Sequence, residues 1–144
     1  MQYHELIQLY FERSGALQSF WTLYVVIIGG MLAFASLRQR PDLLTTGLVT
    51  VLFICFAYRN IGGIHDATVQ RFAVLDAIHR LPIPTEEAIP GLLNPTLQPP
   101  DYNEGRNFHL AADALAVLTL WAMERRRRRH ALIDAKGVRG PEPA

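Results

Sequence analysis

Three side chains in this sequence have the chemistry of a metal or haem site. His65, His109 and Asp113 combine two imidazoles with a carboxylate, and these groups are common ligands of transition metals, while histidines also ligate haem iron. However, the chain contains no H-x-x-x-H pair and no H-E-x-x-H motif, the spacings that would set two ligands on one helical face. Two interpretations stay open: these residues form a metal or haem site, or the histidines are hydrogen-bonded structural residues.

Asp113 stands out because it lies inside the apolar run "FHLAADALAVLTLWAM", residues 108–123. A carboxylate within a membrane segment costs a few kcal/mol unless it is paired, hydrated or neutral, so its presence is a functional hypothesis by default. The alternative is a structural role near the membrane surface, with Arg13 or Arg59 as its partner. We favour the structural role and expect a matching arginine or hydrogen-bond donors around Asp113.

Other catalytic chemistry has no signature in the chain. The sequence contains no phosphate-binding loop, nucleotide fingerprint, kinase signature or Ser-His-Asp order that would predict an enzyme. Its single cysteine, Cys55, rules out an intramolecular disulfide. We therefore expect a non-enzymatic protein without a cofactor, and keep haem or metal binding as the exception described above.

The elements that position these residues are three apolar runs, at residues 20–37, 43–58 and 108–123. As a helix the first covers ~27 Å, close to the ~30 Å hydrocarbon core of a bilayer, and the third covers only ~24 Å. The five-residue link 38–42 forces the first two runs into an antiparallel hairpin. We thus predict an all-α integral membrane protein of three helices, with residues 1–144 forming a single membrane domain.

Both arms of the hairpin carry amphipathic extensions. Apolar residues recur every three or four positions in 59–81 and in the N-terminal segment, which predicts that helices one and two extend beyond the bilayer and pair there. In the register that this pairing suggests, Arg13 lies near Asp66. The segment 82–107 contains six prolines and is predicted to be an extended loop that packs on the protein. Residues 59–107 together form the predicted outer loop.

Arginines decide the predicted orientation. The five consecutive arginines directly follow the third apolar run, and cytoplasmic flanks of membrane helices are rich in Lys and Arg. They are Arg125, Arg126, Arg127, Arg128 and Arg129. Three spans place this cluster on the same side as Arg38 and Arg40, which predicts a multi-pass protein of a bacterial-type inner membrane with its N-terminus outside. Residues 124–144 are then a basic cytoplasmic tail whose arginines bind anionic lipid headgroups. The net charge of +1 and the absence of an aromatic platform argue against nucleic acid.

Small residues four positions apart, Gly29 with Ala33 and Ala112 with Ala116, allow close approach of helices inside the protein or between copies. We expect an accessory, scaffold or assembly subunit that associates with itself or with a larger membrane complex. A membrane redox or metal enzyme using His65, His109 and Asp113 is one alternative. A homo-oligomeric channel is the other.

Overall fold

The protein is all-helical throughout the part described by its structure, a computed structural model that describes residues 3–81, 97 and 101–137. Its helices are α1 (Tyr3–Leu37), α2 (Leu43–His79) and α3 (Tyr102–Gly137), and no strand occurs among the described residues. The all-α prediction is confirmed for these residues. The prediction that helices one and two extend beyond their apolar runs is confirmed as well. Each of α1 and α2 contains an apolar run and its amphipathic extension in one uninterrupted helix.

Two aspartates fix where helices begin. The backbone N–H of Thr45 donates to Oδ1 of Asp42, 3.2 Å away, so Asp42 caps the start of α2. At the start of α3, the N–H of Asn103 donates to Oδ1 of Asp101 at 2.9 Å. Each carboxylate satisfies an N–H group that has no partner within the helix.

The helices reach further than the sequence patterns indicate. Gly62 and Gly63 lie within α2 without ending it. Residues 102–107 belong to α3 instead of to the predicted loop, and α3 continues through the arginine cluster to Gly137. Residues 82–96, 98–100 and 138–144, which hold the rest of the predicted loop and tail, lie outside the described residues.

The chain divides into two compact units, which we treat separately. The first unit contains Met1–Leu23 and Arg59–His109, and the second contains Tyr24–Tyr58 and Leu110–Ala144. In the first unit the main cluster of buried side chains joins the start of α1 to the end of α2. Its members are Leu6, Tyr10, Val74, Leu75, Ile78 and Leu97. Leu97 shows that the proline-rich segment packs against the protein at that position, as its apolar residues predicted.

Phe20 sets the register between α1 and α2 in the first unit. A Cβ atom added to Gly63 would lie 2.6 Å from the Phe20 ring, so only glycine leaves room for this ring. Next to it, Leu17 packs with Ile64 and Ala67. The predicted register, which placed Arg13 near Asp66, is wrong by about one helical turn, because it was measured from the assumed end of the membrane segment.

The expected Arg13–Asp66 ion pair therefore does not form. Arg13 lies 3.9 Å from Glu12 on its own helix, and Asp66 lies 3.4 Å from His65. Both pairs are largely exposed to solvent, where ion pairs contribute little to stability.

Buried positions along α2 repeat every seven residues. One series is Thr46, Phe53, Asn60, Ala67 and Val74, and the other is Ala57, Ile64, Arg71 and Ile78. An average spacing of 3.5 residues is the pattern of knobs-into-holes packing between long helices. The predicted recurrence of apolar residues in 59–81 agrees with this spacing, but Arg71 is buried whereas the adjacent Phe72 is exposed.

The second unit has an apolar exterior. Most of the large hydrophobic side chains that the described residues expose belong to this unit. Examples are Val25, Val26, Phe34, Leu44, Leu48, Val51, Leu52, Ile54, Leu115 and Leu118. Two of its side chains that are buried, Thr46 and Glu124, are polar. A water-soluble unit normally shows the reverse distribution.

By length and composition, α1 and α2 are each able to cross a membrane. Only 17% of the most apolar window of α1 and 28% of that of α2 are buried inside the protein, whereas the core helix of a soluble protein is mostly buried. α3 does not meet the same criterion within the described residues, so the third span stays a prediction.

Candidate functional site

The two histidines of the predicted metal site have different surroundings. His65 is half-exposed, with its ring edge-on to Tyr102 at 5.0 Å between centroids and its Nδ1 near Asp66. His109 is 1% exposed; its Nε2 lies 3.0 Å from Nδ2 of Asn60, and its ring lies 5.6 Å from that of Trp21. His109 therefore has the contacts of a structural core histidine.

Asp113 belongs to the second unit, whereas both histidines belong to the first. Its Oδ1 accepts a hydrogen bond of 2.9 Å from the hydroxyl of Tyr24, within the second unit. No group of three or more His, Cys, Asp or Glu side chains in the described part of the chain is placed to hold a metal ion. The hypothesis of a metal or haem site at His65, His109 and Asp113 stays a prediction. The Tyr24 hydroxyl is one of the hydrogen-bond donors that we expected around Asp113.

A second group of polar side chains was not predicted, and it is centred on Glu124. This carboxylate is 1% exposed and lies at the end of the third apolar run. Its Oε2 accepts from Arg127 Nη2 at 3.1 Å and lies 3.2 Å from the Thr46 hydroxyl, and its Oε1 accepts from Arg128 Nε at 3.3 Å. A carboxylate from α3 is thereby bonded to α2 and to two arginines of its own helix.

The same cluster reaches α1. Arg127 Nη1 donates to the backbone carbonyl of Ala35 at 2.6 Å, and this carbonyl belongs to the last turn of α1, where no intrahelical partner is available. Arg38 Nη1 donates to the Thr46 hydroxyl at 3.2 Å. We call the set Arg38, Thr46, Glu124, Arg127 and Arg128 the polar clamp. It joins all three helices in the second unit.

The electrostatics of the polar clamp favour a charged Glu124. Burial opposes the charge, but the hydrogen bonds from Arg127, Arg128 and Thr46 outweigh it and hold the pKa of the Glu124 carboxyl below its ordinary value of 4.5. A carboxylate that stays ionised and fully bonded is suited to fixing helices in place. It is poorly suited to proton transfer near neutral pH.

Beside the polar clamp lies a groove between α2 and α3 with a volume of about 500 Å³. We call it the basic groove. It is lined by Leu43, Leu118, Trp121, Ala122, Glu124, Arg125 and Arg128. One side is thus apolar and one end carries arginines. Trp121 Nε1 donates to the Thr50 hydroxyl at 3.2 Å, which fixes the indole ring against α2.

The five arginines of the predicted lipid-binding cluster have separate roles. Arg127 faces inward in the polar clamp, and its side chain is 11% exposed. Arg128 pairs with Glu124 and also lines the basic groove. Arg125 lines the groove and has no carboxylate partner among the described residues, while Arg126 and Arg129 are exposed away from the groove.

Comparison with known proteins adds no identification. No protein-family model, curated protein or solved structure matches this chain. The function is therefore argued from the geometry of the chain itself.

The two predicted pairs of small residues lie in different surroundings. Ala116 is buried and Ala112 is half-buried, so this pair takes part in packing inside the second unit. Gly29 and Ala33 are exposed, and nothing lies within 4 Å of the Cβ position of Gly29. This face of α1 has no neighbour in the described part of the chain.

Arg71 is another polar residue that the sequence analysis missed. It is 8% exposed in the first unit, where its Nη2 donates to the Tyr10 hydroxyl at 2.9 Å and its guanidinium lies 5.0 Å from the centre of the Tyr10 ring. The seven-residue spacing from Ile64 and Ile78 was the signal available in the sequence. The sequence signal for Glu124 was its position three residues before Arg127 and four before Arg128, which is the spacing of paired side chains on a helix.

Proposed function

We propose that this protein is an integral membrane subunit whose second unit contains the bilayer-spanning segments and binds a partner helix through an exposed face of α1. The observation that carries the proposal is the apolar exterior of the second unit, because exposed Leu, Val, Ile and Phe side chains in such numbers are unfavourable in water and favourable in lipid. The polar clamp supports it, since its buried charges, which lie just beyond the ends of the apolar runs, are satisfied within the protein, as charged groups close to lipid require.

The proposed arrangement has α1 and α2 as an antiparallel hairpin that spans the bilayer, with α3 as a third span. Arg38, Arg40 and the arginine cluster then lie on one side, which the positive-inside rule assigns to the cytoplasm of a bacterial-type inner membrane. The N-terminus lies on the opposite side. The surface of the first unit carries exposed charges such as Glu12, Asp76 and Arg80, which suit an aqueous environment.

The face of α1 at Gly29 and Ala33 supports an assembly role. Helices in lipid associate through small residues that let the backbones approach, since lipid removes the hydrophobic driving force between helices. Ala112 and Ala116 face inward, whereas Gly29 and Ala33 are open. We propose that this open face binds a helix of another subunit or a second copy, and that the protein acts as an accessory or assembly subunit.

Crosslinking and co-purification from the native membrane test this proposal. Ala33→Leu adds a large side chain to the open face and should abolish the association with the partner, because the helices can no longer approach. Ala114→Leu is the matched control: it makes the same change at an exposed position of α3 and should leave the association intact. Equal association of both variants with the partner would contradict the proposed face, and recovery of the unmodified protein from the soluble fraction would contradict the membrane location.

A further inference from the structure

We infer that the basic groove is a binding site for one anionic phospholipid, with the phosphate at Arg125 and Arg128 and the upper part of an acyl chain against Leu43, Leu118 and Trp121. The inference rests on the proposed membrane location and adds a specific ligand to it. A volume of about 500 Å³ is in the range of small-ligand sites. It accommodates a headgroup with the first carbons of a chain.

The charges in the groove favour an anion. Glu124 is the one carboxylate in its lining, and it is already bonded to Arg127 and Arg128. Arg125 has no such partner in the described chain, so its charge is available to a ligand, and Arg128 retains free N–H groups. Arginine at such a position binds phosphate oxygens through paired N–H donors.

The apolar side of the groove selects a lipid over a soluble phosphate. Leu43 and Leu118 are exposed hydrophobic residues that line the groove, and along α3 Trp121 lies between Leu118 and the arginines. Tryptophan is the residue typical of the membrane interface, where its ring lies at the level of the headgroups. A ligand with both a charged head and a hydrocarbon chain complements both sides of the groove.

Fluorescence quenching by brominated lipids tests the site in the full-length chain. Trp21→Phe leaves Trp121 as the one tryptophan, and the variant is reconstituted into vesicles containing dibrominated phosphatidylglycerol or dibrominated phosphatidylcholine at the same mole fraction. We expect phosphatidylglycerol to associate with the Trp121 site about fivefold more strongly, the effect expected of one arginine at a membrane surface. Raising the salt concentration should reduce this preference.

Two variants distinguish lipid binding in the basic groove from a general attraction of anionic lipid to the basic tail. Arg125→Gln should bring the ratio of phosphatidylglycerol to phosphatidylcholine association close to one. This change leaves Glu124 with both of its arginine partners. Arg129→Gln removes the same charge outside the groove and should keep the preference. A ratio close to one in the parent protein, or an equal loss in both variants, would overturn the site. Quenching by both lipids alike would still support the membrane location, whereas no quenching by either would overturn the location as well.

A second measurement uses proteins that keep both natural tryptophans, in case Trp21→Phe prevents folding. Native mass spectrometry of the full chain extracted in mild detergent from vesicles of equal phosphatidylglycerol and phosphatidylcholine should show retained phosphatidylglycerol for the natural chain and for Arg129→Gln. The Arg125→Gln protein should retain much less of it. Equal retention by all three proteins would contradict the inference.

Discussion

Tyr24 and Asp113 are joined by a hydrogen bond of 2.9 Å, in which the phenol hydroxyl of α1 donates to Oδ1 of the α3 carboxylate. Tyr24 is 3% exposed, so this bond is shielded from water. The aspartate that appeared anomalous within an apolar run has a partner on another helix. The bond joins α1 to α3 within the second unit, and we expect it to stabilise the pairing of these helices.

Removing either partner should lower the stability of the protein in detergent. We expect Tyr24→Phe to reduce the free energy of unfolding by about 1 kcal/mol, the usual contribution of one shielded hydrogen bond. Asp113→Asn keeps an acceptor oxygen and should be mildly destabilising, while Asp113→Leu removes all acceptors and should be clearly more so. Thermal unfolding followed by circular dichroism measures these differences.

Tyr58→Phe is the matched control for this bond, because Tyr58 is 77% exposed and loses the same hydroxyl. Its unfolding temperature should be unchanged. An Asp113→Leu protein more stable than the natural one would show that the carboxylate is unpaired and faces lipid.

Gly63 should tolerate no side chain, in contrast to the adjacent glycine. Gly63→Ala places a Cβ 2.6 Å from the ring of Phe20 and should destabilise the protein by about 1–3 kcal/mol through overpacking. At Gly62 nothing lies within 4 Å of the added atom, so Gly62→Ala should be neutral or stabilise the helix by up to ~1 kcal/mol. Chemical denaturation of both variants gives the comparison, and equal effects would contradict the observed register.

Glu124 should make stability depend on acid pH. The pKa of its carboxyl is lower in the folded protein than its ordinary value of 4.5, so the folded state is stabilised above that pH and loses this contribution as the pH falls below it. The pKa of Asp42 is lowered as well, by its hydrogen bonds from Thr45, and it adds a dependence of the same sign. Glu124→Gln should destabilise the protein by roughly 2–3 kcal/mol at pH 7, because the arginines lose a charged acceptor.

The Glu124→Gln variant should also lose less stability between pH 6 and pH 3 than the natural protein does. Unfolding temperatures measured across this range give both effects. Asp134→Asn, an exposed change on the same helix, is the control and should change neither the stability at pH 7 nor its decrease in acid. An unchanged pH profile in Glu124→Gln would show that the clamp carboxylate is not what responds to acid.

The orientation of the chain in the membrane is tested by reporter fusions. A reporter after Ala144 should be active on the cytoplasmic side, and one inserted after Leu93 should be active on the outer side, because both arginine clusters are assigned to the cytoplasm. An insertion at Leu93 that reports the cytoplasm would contradict three spans. It would leave α1 and α2 as the membrane hairpin.

The helices were predictable from the sequence, and their contacts were not. Uncharged runs such as residues 20–37 and the recurrence of apolar residues beyond them identify long helices, because both patterns are local. The register depends on how one ring, Phe20, fits against Gly63 on a different helix, and no local pattern encodes that fit. The bonds of Tyr24 with Asp113 and of Glu124 with Thr46 also join residues far apart in the chain. The search for metal ligands directed attention to His65 and His109, but a buried carboxylate beside arginines was the more informative feature.

The native cysteine provides the most direct test of whether the second unit lies in a bilayer. Cys55 is exposed on the surface of the protein, so in the proposed arrangement the surrounding lipid should protect it from a hydrophilic, membrane-impermeant maleimide. In native membranes we expect no labelling of Cys55 until detergent is added. A Cys55→Ala, Glu12→Cys variant, which moves the thiol to an exposed position of the first unit, should be labelled without detergent from the outer side. Rapid labelling of Cys55 without detergent, while the membranes stay sealed, would show that this surface is in water and would contradict the membrane assignment.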